Sequence, residues 1–349
     1  MREAGWGYVV SVAAIHAASV SVLRSSQAPS AVVMIRPHHF CVNTETAGDN
    51  SFQTRAGDDH PLSNQQTSGQ QTLAKRAYEE VGRAVELLQK AGVRTHVFED
   101  FGTATPDSVF PNNWFSTHSP EPADLPADVL ADGQVVLYPM FAPNRRKERR
   151  VDVIEMLKKE YQVRTVIDYS GLEHQRLYLE GTGSMVLDHI ERVAYSIPSN
   201  RTHPVVLERF CAEFHYEPVM FDAADSSGRP IYHTNVLMCI ATEFVMLGLD
   251  MIGDLERREY LVKRFEASGR TVIALSREQI NNFAGNALEL KTPSGRVLAL
   301  SSRALKSLTP DQLAVISRSA TPLPLDIETI EMAGGSVRCM LAGIHLAKR

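Results

Sequence analysis

LEGTGSMVLD (179–188), YHTNVLMCIA (232–241), FAGNALEL (283–290) and RCMLAGIHL (338–346) each set a polar residue just before or inside a short apolar run. The leading polar residues are Glu180, His233, Asn286 and Cys339, and each stands 53 positions after the one before it. A fifth stretch, PNNWFSTH (111–118), lies further upstream, with Asn113 67 positions before Glu180. A constant period of this size marks a repeated supersecondary unit. Short β-branched runs fill the space between, among them AVVMIRP (31–37), VRTHVFED (93–100), QVVLYPM (134–140), RTVIDYS (164–170), RVAYSIP (192–198), TVIALS (271–276) and RVLALSS (296–302). Their length and composition favour strands. Helices are expected to begin near Thr72, Asn144, His203, Leu255 and Pro310. The first carries Leu73, Ala77, Val81, Ala84, Val85 and Leu88 at the helical period. The chain therefore reads as five α/β units, each delivering one polar residue at a strand end. Five such units around an axis would gather those residues at the centre.

Composition narrows the function. With 36 basic against 41 acidic residues, the chain lacks the basic excess of a nucleic-acid binder. Cys41, Cys211, Cys239 and Cys339 are scattered singly, which excludes zinc ribbons and thioredoxin-type redox sites and suits a reducing, cytoplasmic setting. Residues 6–23 are apolar but interrupted by His16 and several serines, marginal for a span of about 20 strongly apolar residues. They are read as part of an N-terminal extension, 1–27, with organellar targeting left open, ahead of a single catalytic domain over 28–349. No membrane partner is expected. HHFC (38–41) offers His39 and Cys41 but no second ligand pair follows, so no metal is expected. Without a G-x-G-x-x-G or P-loop, no nucleotide cofactor is expected either. The polar stretches 44–72 and 119–133 read as long loops.

Cys339 and His233 supply a nucleophile and a proton partner. A thiolate at neutral pH needs a lowered pKa, which a neighbouring protonated imidazole can provide. Glu180 could orient that imidazole or accept protons from substrate nitrogens. Gly334 and Gly335 suggest a tight turn that delivers Cys339 onto a strand.

PDSVFPNNWFSTH (106–118), LEGTGSMV (179–186), YHTNV (232–236) and GGSVRCML (334–341) resemble the guanidino-group-modifying enzymes, the superfamily of arginine deiminase, dimethylarginine dimethylaminohydrolase and arginine amidinotransferase. RPHHF and PDSVFPNNW bring the chain nearest to the hydrolase branch linked to citrulline utilisation. The resemblance runs from about residue 28 to the end. It implies the pentein fold, a five-bladed α/β propeller of pseudo-fivefold ββαβ repeats, and a cofactor-free reaction on a small amino-acid substrate. It also implies roles: Cys339 as nucleophile, His233 as general acid/base, and Glu180 as the group that holds substrate nitrogens. Asp107 would contact substrate. Arg145 and Arg201 would grip its carboxylate, where bidentate pairing suits an amino acid. Four positions depart from the family pattern. Glu-Gly-Thr-Gly replaces Glu-Gly-Gly-Asp at 180–183, and Asn113 and Asn235 stand where arginine deiminases carry aspartates. Losing two carboxylates removes charge-assisted hydrogen bonds of about 1.5–3 kcal/mol each. The expected substrate is thus a neutral ureido amino acid such as citrulline, hydrolysed to ornithine, ammonia and carbon dioxide. Arginine deimination or dihydrolysis, dimethylarginine hydrolysis and amidino transfer are the alternatives within the superfamily. A non-catalytic propeller used as a binding module is the alternative outside catalysis, because fold alone does not fix function. A homo-oligomer stays open.

Overall fold

The structure, a computed structural model, describes residues 26–54, 67–119 and 133–349. The apolar run 6–23 and most of the loop 119–133 lie outside the described residues. Fifteen strands among the described residues form five three-stranded sheets.

One pattern recurs. Strand β1 (Ala31–Pro37) pairs in parallel with β2 (Arg94–Asp100). Next, β3 (Phe115–His118) pairs antiparallel with β4 (Gly133–Leu137), and β4 pairs in parallel with β5 (Val163–Asp168). The same succession gives β6 (Met185–Asp188), β7 (Val193–Ser196) and β8 (Glu217–Met220). It returns in β9 (Met238–Ile240), β10 (Phe244–Leu247) and β11 (Thr271–Ala274). It returns again in β12 (Leu288–Thr292), β13 (Gly295–Ser301) and β14 (Thr321–Leu325). Finally β15 (Ala342–Gly343) pairs antiparallel with β1 and completes the first sheet from the other end of the chain. Each unit is therefore ββαβ: a hairpin, then a helical crossover to a parallel strand, as parallel pairing requires.

The crossovers fall where periodicity puts them. Thr67–Lys90 buries Leu73, Ala77, Val81, Ala84, Val85 and Leu88. Pro204–Phe214 is capped by the imidazole of His203, Leu255–Ala267 by Asp254, and Pro310–Ile316 by Thr309 in a capping box. The first helix begins five residues before Thr72, inside the stretch read as loop. The segment at Asn144 is not one helix. A 3₁₀ turn over Arg145–Glu148 stops at Arg149 and Arg150, both extended, and Val151–Glu160 follows. Arg149 donates to the Tyr138 carbonyl and Glu173, and Arg150 to the Glu99 carbonyl, so tertiary partners pull this pair out of the helix.

The central strands β1, β4, β7, β10 and β13 carry the core, with Val32, Val135, Ala194, Val245 and Leu298 fully buried. First strands meet across units. The Thr117 hydroxyl of β3 donates to the Gly343 carbonyl of β15, and the Gln27 amide donates to the carbonyls of Leu187 in β6 and Ile240 in β9. No helix among the described residues is long and apolar enough to cross a membrane.

Candidate functional site

Single helical turns precede four of the first strands: Pro111–Asn113, Gly181–Ser184, Thr234–Leu237 and Val337–Met340. They bring the polar residues singled out above into one buried region. Cys339 lies within its turn, not on a strand as the double glycine suggested. Asp107, Asn113, Arg145, Arg201, His233 and Cys339 line a common cavity, together with Asn50 and Tyr232.

Sγ of Cys339 accepts from two amides, Asn235 Nδ2 and Asn286 Nδ2, each at 3.3 Å. The same Asn286 side chain receives the Cys339 backbone N–H through Oδ1 at 3.4 Å. Two amide donors thus converge on the sulfur and fix its direction. Asn286 was visible in the repeat but had no assigned role, and this contact supplies one.

Glu180 is fully buried and accepts from the Phe141 N–H at 3.0 Å through Oε1. Its Oε2 lies 2.9 Å from His233 Nε2, 3.5 Å from Arg145 Nη1 and 3.6 Å from Arg201 Nη1. Burial opposes its charge. Arg201, the His233 hydrogen bond and Arg145 outweigh burial and hold its carboxyl well below the usual range. His233 goes the other way. Burial pushes it down to about 4 against the pull of Glu180, with Arg201 and Arg145 adding to the push. At neutral pH the imidazole is therefore uncharged. Its Nε2–H is committed to Glu180, which leaves Nδ1 as the basic nitrogen. The protonated imidazole expected beside the thiol is not what burial gives: His233 is neutral and poised as a base, and two amides donate to the sulfur.

Both arginines reach the cavity, but both forks already hold carboxylates of the chain. Arg145 grips Glu148 through Nε at 3.0 Å and Nη2 at 2.9 Å, and its Nη1 donates to Asn113 Oδ1 at 3.0 Å. Arg201 grips Asp49 at 2.9 and 2.6 Å and stacks over the Tyr232 ring. Burial opposes both charges, yet the acidic partners win and hold each guanidinium above its ordinary value. Asp107 takes an amide hydrogen bond from Asn43 on Oδ2 at 2.7 Å, and its buried Oδ1 has no partner. Burial pushes this carboxyl up, against Arg145, Asn43 and Arg201.

The glycines of 180–183 explain one departure from the family pattern. Gly181 has φ of +47°, and a Cβ there would sit 2.5 Å from the Asn112 carbonyl oxygen. A Cβ on Gly183 would come within 2.2 Å of Asn113 Nδ2 and 2.8 Å of His233 Nδ1. The place of the missing carboxylate is filled by that amide and that imidazole. No group of three or more acidic, histidine or cysteine side chains among the described residues is arranged to hold a metal.

The family model described as N,N dimethylarginine dimethylhydrolase, eukaryotic, matches residues 36–346. No curated protein matches the chain. Three solved structures illustrate the likeness in fold. The N-terminal domain of ArgZ, an arginine dihydrolase from the ornithine–ammonia cycle in cyanobacteria, bound to substrate as a cysteine-to-serine mutant, aligns at TM-score 0.64 and 14% identity over 90% of this chain and 97% of that one. AgrE in ternary complex with ornithine and NAD+ aligns at 0.63 and 17% over 91% of this chain and 40% of its own. DDAH from Pseudomonas aeruginosa, a cysteine-to-serine mutant holding citrulline, aligns at 0.56 and 12% over 92% and 100%.

Proposed function

The chain belongs to the eukaryotic N,N-dimethylarginine dimethylhydrolase family of the guanidino-group-modifying enzymes, hydrolases of carbon–nitrogen bonds, and on that premise we propose that it cleaves a ureido amino acid through a covalent adduct on Cys339. In this reading the five ββαβ units are blades closed around the cavity, and residues 28–349 act as one catalytic domain. Four free thiols support a reducing, cytoplasmic setting.

The observation that carries the substrate class is a pair of orphan buried amide atoms, one on Asn113 in the cavity wall and one on Asn235, whose other amide atom bonds the sulfur. Asn113 gives its Oδ1 to Arg145, which leaves Nδ2 as an unpartnered buried donor. Asn235 gives its Nδ2 to Sγ, which leaves Oδ1 as an unpartnered buried acceptor. One donor and one acceptor complement a ureido group, which has a carbonyl and N–H groups. A guanidinium offers donors alone and would leave the Asn113 amide facing another donor. The open Oδ1 of Asp107 suits the α-ammonium of the same molecule.

The steps follow. Neutral His233 takes the thiol proton at Nδ1, with Glu180 stabilising the imidazolium. Sγ attacks the ureido carbon. The imidazolium protonates the δ-nitrogen, the C–N bond breaks, and ornithine leaves. Water, deprotonated by His233, attacks the S-carbamoyl group and frees Cys339. The carbamate released decomposes to ammonia and carbon dioxide.

Family membership favours a second reading, hydrolysis of an N-methylated arginine with loss of the methylated amine and citrulline as product. The same orphan pair would then hold the product. Separate incubations with citrulline, arginine and N,N-dimethylarginine distinguish the two. Ornithine and ammonia from citrulline support the first reading. Citrulline and dimethylamine from dimethylarginine, with citrulline inert, replace it by the second. If Cys339→Ser turned over any of them at the wild-type rate, both would fail.

A further inference from the structure

Cys339 and the residue before it face different cavities. Cys339 lines the pocket described above, while Arg338, on the same helical turn, lines a second cavity with His118, His189, His345, Gln27 and Ser116. The second cavity has a charge pattern of its own. No aspartate or glutamate lines it, and Arg338 has no carboxylate partner among the described residues. Among the described residues, the one side-chain hydrogen bond of Arg338 runs from Nη1 to the Leu341 carbonyl at 3.0 Å. The rest of its planar fork is left over, on a residue that is only partly exposed. Nearby, His118 is 1% exposed and its buried Nδ1 has no partner, its Nε2 being taken by Ser116. His189 stacks on His345 with ring centroids 3.9 Å apart. Stacked rings cannot both aim in-plane lone pairs at one ion, which argues against a shared metal.

A largely buried guanidinium without a counter-ion is costly, and an unsatisfied imidazole nitrogen adds to the cost. Burial lowers the Arg338 pKa, whereas Arg145 and Arg201, which hold carboxylates, are raised. We infer that this cavity is a binding site for a small oxyanion, a carboxylate or an inorganic phosphate, gripped by the Arg338 fork and completed by His118. The fork geometry selects paired oxygens over a simple halide. Because Arg338 is bonded to Cys339, the occupant places a negative charge beside the nucleophile turn and repels the negative charge that builds on the attacking sulfur. The site is thus an inhibitory one, separate from the substrate pocket.

Calorimetric titration of the full-length protein, alkylated at Cys339 to block the substrate pocket, tests this. Inorganic phosphate and succinate are the two probes, at ionic strength fixed with sodium chloride. Saturable binding of either one is expected, and the better probe identifies the source of the oxyanion. Arg338→Gln should weaken it at least about tenfold, and Arg338→Lys should weaken it less. His118→Gln, which leaves Arg338 intact, gives a second route should Arg338→Gln not fold. With unmodified protein, the saturating probe should slow iodoacetamide alkylation of Cys339 at least about twofold. Absence of saturable binding by both probes, or binding unchanged in both Arg338→Gln and His118→Gln, would overturn the inference. So would alkylation unaffected by a saturating probe, for the inhibitory role.

Discussion

Two cavities meet at one helical turn, and they are opposites. On the Cys339 side, Asp107, Glu148, Glu180 and Asp49 surround two arginines, and every guanidinium is gripped by a carboxylate. On the Arg338 side, one guanidinium and three imidazoles stand without any acid among the described residues. The first side spends its charges on one another to hold a neutral imidazole and a sulfur in place. The second keeps a charge in reserve. Preorganised ion pairs suit chemistry, and an unpaired ion suits binding.

The largest expected effect breaks the chemical side outright. Cys339→Ser should lower turnover by about a thousandfold or more in the product assay, with thermal stability little changed. Glu180→Gln comes next. It frees His233 from its tautomer and leaves Arg145 and Arg201 without a shared anion. Activity should fall by about a hundredfold and stability by about 3 kcal/mol in urea denaturation. Gly183→Ala pushes a methyl into Asn113 and His233. A drop of about tenfold or more in kcat/KM is expected, with a lowered Tm, because shifts of an ångström at a reacting geometry are costly.

Acid tests both sides at once. His118, His189, His233 and His345 are all held below the usual 6.5 by burial, His233 and His345 at about 4. In this pH range the unfolded chain takes up these protons first. The stability gained by keeping the rings neutral is complete above about 6.5 and is lost as pH falls through 4. Denaturation midpoints should therefore drop steadily from pH 6.5 to pH 4. The smallest effect compares thiols. Burial pushes Cys211 and Cys239 up to about 12, so brief iodoacetamide treatment followed by peptide mapping should label Cys339 and spare those two.

The repeat was legible because hydrophobic period and spacing survive in a ββαβ unit. Its register was not. Glu180 and His233 each stand five positions before the first strand residue, Met185 and Met238. Cys339 stands three positions before Ala342, a place held by Asn235 in the earlier unit, and Asn286 two before Leu288. Equal gaps in sequence thus join unequal positions in space. Strand β14, TPLPL, went unread because two prolines disfavour a strand, yet it is an edge strand paired only with β13, where proline is tolerated. The grip of Glu148 on Arg145 was half visible, three residues away on one turn. That of Asp49 on Arg201 spans 152 positions, and no local pattern encodes it.

The measurement closest to the centre of the account is acid-quenched mass spectrometry of the protein during turnover of whichever substrate the incubations select. The peptide bearing Cys339 should gain one carbamoyl group with citrulline, or the corresponding substrate-derived group with dimethylarginine. The adduct should vanish when substrate runs out. An adduct on any other residue, or undiminished turnover by Cys339→Ser, would contradict it.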